Sequence, residues 1–196
     1  MEISNTITYF STAGELNTTR TFEFARNRAL ELGISTVLVA SSTGAAGVMA
    51  ADFFKGFQVI VVSHSAGFRE ANTQELTEDN RKKIEALSGR ILTATHAFGG
   101  VNRAIRRKFN TYQVDEIIAG TLRILGQGFK VVLEIALMAA DAGLVRTDTP
   151  VLCIAGTHAG ADTAAVLIPA YSQAFFDLRL LEIICLPVPG HPGFSV

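Results

Sequence analysis

At 196 residues the chain has the size of one ordinary domain, read as spanning 1–196 without a linker or low-complexity stretch. Apolar residues make up 48% and charged residues 18%, a balance that supports a sizeable core and excludes disorder. The net charge of −1, from 17 basic and 18 acidic side chains, argues against a nucleic-acid partner. Arg103, Arg106, Arg107 and Lys108 form one basic cluster, expected to be a solvated helix face. Cys153 and Cys185 lie in apolar runs and read as reduced core residues. The start, Met1 to Asn5, lacks a secretory pattern, and the longest apolar stretch, Val131 to Val145, is interrupted by Glu134 and Asp141. These features predict a cytoplasmic protein without a membrane partner.

In chain order, Ile7 to Phe10 can add a short strand at a sheet edge. Thr18 to Leu32 has helical spacing, with Asn17 placed to cap it and Gly33 to end it. Thr36 to Ala40 is the first of five short β-branched runs. The others are Gln58 to Val62, Arg90 to Ala94, Val151 to Ala155 and Leu181 to Leu186. Runs of this length without alternation predict strands buried on both faces. Helices are predicted over Gly44 to Phe54, and from Thr77 as cap to Leu87. Three more are predicted over Val101 to Phe109, Gln113 to Leu125 and Gly128 to Ala142. A last crossover helix is predicted over Ala161 to Ser172, kinked by Pro169. The tail, Leu186 to Pro192, is read as irregular. Strand alternating with helix defines an α/β domain: a parallel sheet with helices on both faces, three layers in all.

In such sheets a ligand sits beyond the carboxyl ends of the strands. Two turns there open helices with small and hydroxyl residues. After the first strand, Ser41-Ser42-Thr43-Gly44 offers amides and hydroxyls to an anion; the alternative is a capped, tightly packed helix start. After the fourth strand come Thr157, His158, Gly160, Asp162 and Thr163. Asp162 is either an N-cap or an acceptor for a sugar hydroxyl or ring N–H. Gly126, Gln127 and Gly128 allow close backbone approach, and Lys130 either supplies a point charge to phosphate or is solvated. Asn17, Thr18, Gly67 and Phe68 fall on the same rim, and Phe68 or Phe98 could stack on a flat ring. His64, His96 (beside Thr95) and His158 each follow a strand directly. Three histidines suggest a metal site, but three different strands cannot all be neighbours, so hydrogen bonding is expected and no metal is assigned. Spacing reveals no Ser-His-Asp or Cys-His arrangement.

Taken in order, several segments resemble stand-alone members of the pyruvate kinase C-terminal-domain-like family. They are Gly14 to Thr18, Arg28 to Ile34, Ala40 to Gly44, Gly126 to Lys130, Met138 to Leu144 and Ala155 to Thr163. The resemblance implies five parallel strands ordered 3-2-1-4-5, which sets the turns after the first and fourth strands side by side. It implies a phosphate held at Ser42, Thr43 and Gly44, and, since the catalytic barrel is absent, no pyruvate kinase activity. It also implies flavin mononucleotide (FMN) as ligand, bound by an oxidoreductase or by a protein with no reaction of its own. The alternative is a non-catalytic module that senses a sugar phosphate or nucleotide. Whether the protein is an enzyme, and whether it forms homo-oligomers, stays open at this level.

Overall fold

In the computed structural model, residues 2–191 are described. They form a three-layer α/β domain around one seven-stranded sheet ordered β1-β7-β6-β5-β2-β3-β4. The central strands are β2 (Thr36–Ala40), β3 (Gln58–His64), β4 (Arg90–Ala94) and β5 (Val151–Ala155). They lie parallel in the order β4-β3-β2-β5, so β2 pairs with both β3 and β5. Val37, Leu38 and Val39 are fully buried, as are Leu152, Cys153 and Ile154. Continuous apolar runs are what a strand covered on both faces requires.

One face is covered by α1 (Thr18–Glu31), α2 (Ala45–Phe53) and α3 (Glu78–Ala86). Phe22, Ala25 and Ala29 of α1, Ala50 of α2 and Ile84 of α3 pack with Val37, Val39, Val59 and Val61. The other face is covered by α6 (Gln127–Asp141), whose Val132, Leu133, Ala136 and Ala139 pack with Leu38, Ile60, Val62 and Cys153. Beside it lie α4 (Val101–Phe109) and α5 (Val114–Leu122), the latter running into a 3-10 turn over Arg123–Leu125. Both ends of α3 follow the local signals: Thr77 Oγ1 accepts from Asn80 N at 3.2 Å, and Gly89 N donates to Ile84 O. Asn17 precedes α1 but does not cap it. Its Nδ2 donates to Thr12 O at 2.7 Å instead.

The predicted helix over Ala161 to Ser172 is a strand. β6 (Thr163–Ile168) runs antiparallel between β5 and β7 (Arg179–Pro187), and only a 3-10 segment, Ser172–Asp177, follows it. Thr163-Ala164-Ala165-Val166-Leu167 is buried throughout. A run that short and that apolar has no period to tell a strand from a buried helix. Pro169 therefore ends a strand and kinks no helix. The four parallel central strands keep the expected order, while β6 separates the fourth from the fifth. β7 still runs parallel to β5, and β1 (Thr8–Phe10) adds a parallel edge by matching Thr8 with Cys185. Arg28 of α1 clamps β7 through two Glu182 oxygens, at 2.9 and 3.0 Å from its Nε. Among the described residues no helix is long and apolar enough to cross a membrane.

The first turn of α6 lies hard against β6. A Cβ on Gly128 would stand 2.2 Å from Thr163 Oγ1 and 2.8 Å from Asp162 Oδ1. The close approach expected of this glycine is thus made to the side chains of Thr163 and Asp162. Gly128→Ala is expected to destabilise the fold by about 1–3 kcal/mol through overpacking. Gly120→Ala, in α5 with no atom near the added methyl, should be neutral or stabilising by up to about 1 kcal/mol. Urea unfolding of the two variants checks the contrast.

Candidate functional site

The candidate residues divide into two groups along the carboxyl edge. The first surrounds the β5–β6 loop and is closed on itself. Asp162 is fully buried. Its Oδ2 accepts from Gly14 N at 2.8 Å and Thr157 N at 3.0 Å, and its Oδ1 from Thr163 Oγ1 at 2.7 Å. Thr18 Oγ1 donates to Glu15 O and accepts from Ala161 N at 3.0 Å. Asp162 N donates to Ala155 O, and Ala159 N to Thr157 O. A Cβ on Gly160 would meet Thr18 Oγ1 at 2.4 Å. Gln127 Oε1 accepts from Arg123 Nε at 2.7 Å. Gly126, Gln127 and Gly128 thus open α6 against this loop. His158 is exposed at its tip, in left-handed backbone with φ 65. β2 and β5 are neighbours, so the two small-residue turns do follow adjacent strands. The amides of Thr157, Ala159, Ala161 and Asp162, however, already have protein acceptors, and Asp162 caps no helix but turns both oxygens to protein donors.

The second group lies over β2, β3 and β4 and is open. Gly44 sits in left-handed backbone (φ 92), where a Cβ would be 2.5 Å from Leu76 Cδ1. This lets α2 start directly after β2. Ser41 Oγ accepts from Gly47 N at 3.1 Å, steadying that start from inside. Thr43 O accepts from Thr77 N and from Asn80 Nδ2, which fixes the turn to α3. Among the described residues the amides of Thr43 and Gly44 donate to no protein acceptor. Ser42 Oγ stands 3.2 Å from His64 Nε2 at the end of β3. His64 Nδ1 stands 2.5 Å from Glu75 Oε2.

Beyond β3 and β4 opens a cavity of about 500 Å³, whose lining includes Gly67, Phe68, Thr95 and His96 from the two strand ends. Its wall from α4 carries Arg103, Arg107 and Lys108, and no carboxylate lines it. Three residues of the basic cluster therefore line a concave site, while Arg106 pairs with Glu116 at 2.6 Å. Arg103 and Arg107 are one helical turn apart, on a helix that begins just past the end of β4. That combination places their side chains on the ligand edge. Phe68 is the centre of the packing there. Its ring is 4.7 Å from His96, 4.1 Å from His64 and 4.6 Å from the Arg103 guanidinium. A second cavity, of about 480 Å³, lies at the amino edge and contains none of the candidate residues.

Lys130 is neither solvated nor aimed at a ligand. It is buried at 4% exposure and bonds Glu134, one turn on. Glu134 Oε1 also accepts from Phe98 N at 3.1 Å, and its Oε2 lies 3.6 Å from His96 Nδ1. Burial lowers the Lys130 pKa, opposed by Glu134. Burial likewise lowers His96 from 6.5 to about 4, against the pull of Glu134 and with His64, Lys130 and Arg103 adding repulsion. His64 and His96 have ring centroids 4.9 Å apart, but His158 lies in the loop after β5, a strand two places from β3. Among the described residues no three His, Cys, Asp or Glu side chains converge to hold a metal. Both cysteine thiols are pushed up by burial, that of Cys185 to about 12, so neither supplies a thiolate.

The fold is an α/β domain with a mostly parallel sheet and an open, cationic carboxyl edge. Residues 19–167 match the family described as "Pyruvate kinase, alpha/beta domain", and the chain belongs to that family. Among solved structures it is similar to a Cryptosporidium parvum pyruvate kinase in complex with ADP, at 8% identity and a TM-score of 0.34. That match covers 83% of this chain and 23% of the kinase. It is also similar to an O-ureido-L-serine synthase, at 15% identity and a TM-score of 0.31, over 70% of this chain and 50% of that one. The chain thus spans about a quarter and a half of these two proteins.

His96 gives the edge a pH signature. A depressed folded pKa means that the unfolded chain binds a proton that the folded one refuses. The stability it contributes is present above about pH 6.5 and is lost as pH falls towards about 4. The loss is about 3 kcal/mol at most. Denaturant unfolding between pH 7 and 4 should show a steeper acid limb for the parent protein than for His96→Gln.

Proposed function

We propose that this domain binds a phosphorylated small molecule at the carboxyl edge of its sheet, over β2, β3 and β4. The observation that carries this reading is the cavity wall. Three cations and no carboxylate face one concavity in a chain whose net charge is −1. Guanidinium forks suit phosphate oxygens, and a site walled on one side by protein strengthens the attraction. The Ser42-Thr43-Gly44 turn keeps free amide donors at the start of α2, so it remains part of the site. The β5–β6 loop offers no donor to the site, since its amides are engaged.

FMN, implied by the family resemblance, is the first ligand to test. Its phosphate suits the cationic wall and the free amides. Its ring is less well served: Phe98 is buried at 6% exposure, and Phe68 already packs against His64, His96 and Arg103. No redox step through a flavin follows from these residues. A sugar phosphate or nucleotide, bound by a module without a reaction of its own, draws on the same wall.

Calorimetric titration with FMN, and in parallel with a sugar phosphate, tests the site. Binding should weaken with added salt, as expected for exposed charges. Arg103→Ala should cost about tenfold or more in affinity, the scale of one charge-assisted hydrogen bond. Thr43→Asp should abolish binding by repulsion while leaving thermal stability intact, because a carboxylate suits a helix start. Unchanged affinity in both variants would falsify the assignment.

A further inference from the structure

Ser42 lies on the turn from β2 into α2, where an α/β sheet presents a side chain beyond a strand end. The sequence there, Ala40-Ser41-Ser42-Thr43-Gly44, places a half-buried serine between small residues. Its Oγ is 3.2 Å from His64 Nε2. The other ring nitrogen, Nδ1, is 2.5 Å from Glu75 Oε2, and Glu75 Oε1 pairs with Arg69 Nε at 2.9 Å. Hydroxyl, imidazole and carboxylate therefore stand in one hydrogen-bonded row. With its proton on Nδ1 facing Glu75, the ring turns an Nε2 lone pair towards the serine. The His64 and Glu75 side chains are only 23% and 15% exposed, and Phe68 and His96 pack against the imidazole. The row is thus held by its surroundings as well as by its own bonds. Ser42 is not in left-handed backbone, so the turn lacks the strain of a hydrolase elbow. The amide of the residue after the nucleophile, here Thr43, is one that stabilises an oxyanion in such turns, and here it has no protein acceptor.

We propose that Ser42 is a nucleophile served by His64 as general base and Glu75 as the group that orients it, acting on a small carboxylic ester or thioester with an anionic end. The anionic end rests on the cationic wall invoked above; the serine assignment does not. Ser42 Oγ forms a bond to the acyl carbon while its proton passes to His64 Nε2. The carbonyl oxygen takes the electron pair and the negative charge, beside the Thr43 and Gly44 amides. When the C=O bond re-forms, the C–O or C–S bond breaks and the alcohol or thiol leaves with the proton from His64. Water then attacks the acyl-serine by the same route, giving the acid and restoring the Ser42 hydroxyl. The sum is ester plus water to acid plus alcohol, with no oxidant or other co-reactant.

Diisopropyl fluorophosphate, an uncharged serine reagent that loses fluoride on reaction, tests the nucleophile independently of any bound phosphate. The intact protein should gain one diisopropylphosphoryl group, mapped to Ser42, and Ser42→Ala should gain none. Labelling should slow about 100-fold or more in both His64→Ala and His64→Gln, and about tenfold or more in Glu75→Gln. Two histidine variants guard against one that misfolds, and circular dichroism confirms which are folded. No adduct at Ser42 in folded protein, or parent-like labelling in a folded His64 variant, overturns the proposal. Mono-4-nitrophenyl succinate should be hydrolysed faster than 4-nitrophenyl acetate; equal rates overturn the anionic end. Lost labelling with intact FMN binding sinks the serine alone, whereas labelling without any phosphate affinity sinks the binding site alone.

Discussion

One buried carboxylate ties the N-terminal segment to the β5–β6 loop. Asp162 receives the Gly14 amide from the N-terminal segment, the Thr157 amide from its own loop and the Thr163 hydroxyl from the start of β6. A carboxylate wholly out of water is tolerated only when its oxygens are well bonded. Removing any one of those donors would leave charge uncompensated in the interior. The position of β6 follows from this anchorage, and so does that of α6, whose Gly128 fits against Thr163 with no room for a methyl group. With that half of the carboxyl edge occupied by its own bonds, the half over β2, β3 and β4 is the one that stays open.

The two histidines of the open half show how position alone divides similar residues. Both stand at or just beyond the ends of adjacent parallel strands, with ring centroids 4.9 Å apart. His96 faces the buried Lys130–Glu134 pair, and burial keeps it neutral. His64 instead reaches a carboxylate on one side and a hydroxyl on the other. One ring helps to close the interior; the other is held between a hydroxyl and a carboxylate. Strand register makes this division, because His64 is the last residue of β3 while His96 lies past the end of β4.

Much of the layered architecture is legible from residue pattern. Runs such as Thr36 to Ala40 and Val151 to Ala155 are apolar without alternation, and caps such as Thr77 mark helix starts. Family membership supports the same class. Thr163 to Ile168 escapes that reading because a short apolar run with five buried residues carries no period, and because a tight return after β5 leaves the same turn signals as a helix start. The site is legible only by halves. Ser42, His64 and His96 can be placed on the edge from their positions after strands. Glu75 cannot, since it arrives from a loop eleven residues beyond His64. Arg103 and Arg107 read as solvated because basic residues on a helix usually are; only the hollow beneath them changes their meaning.

The pairing of β1 with β7 sets Thr8 beside Cys185. A contact between segments so far apart in the chain carries a large loop-closure entropy, and β1 brings only three residues to offset it. The β5–β6–β7 antiparallel run, by contrast, is made of neighbours in sequence and can assemble locally. The first strand of the chain thus has a place only once that meander exists, and the Gly14–Asp162 bond, spanning 148 positions, closes the same long circuit. The β1–β7 pairing and the Gly14–Asp162 bond therefore fasten the N-terminal segment to the same far end of the chain.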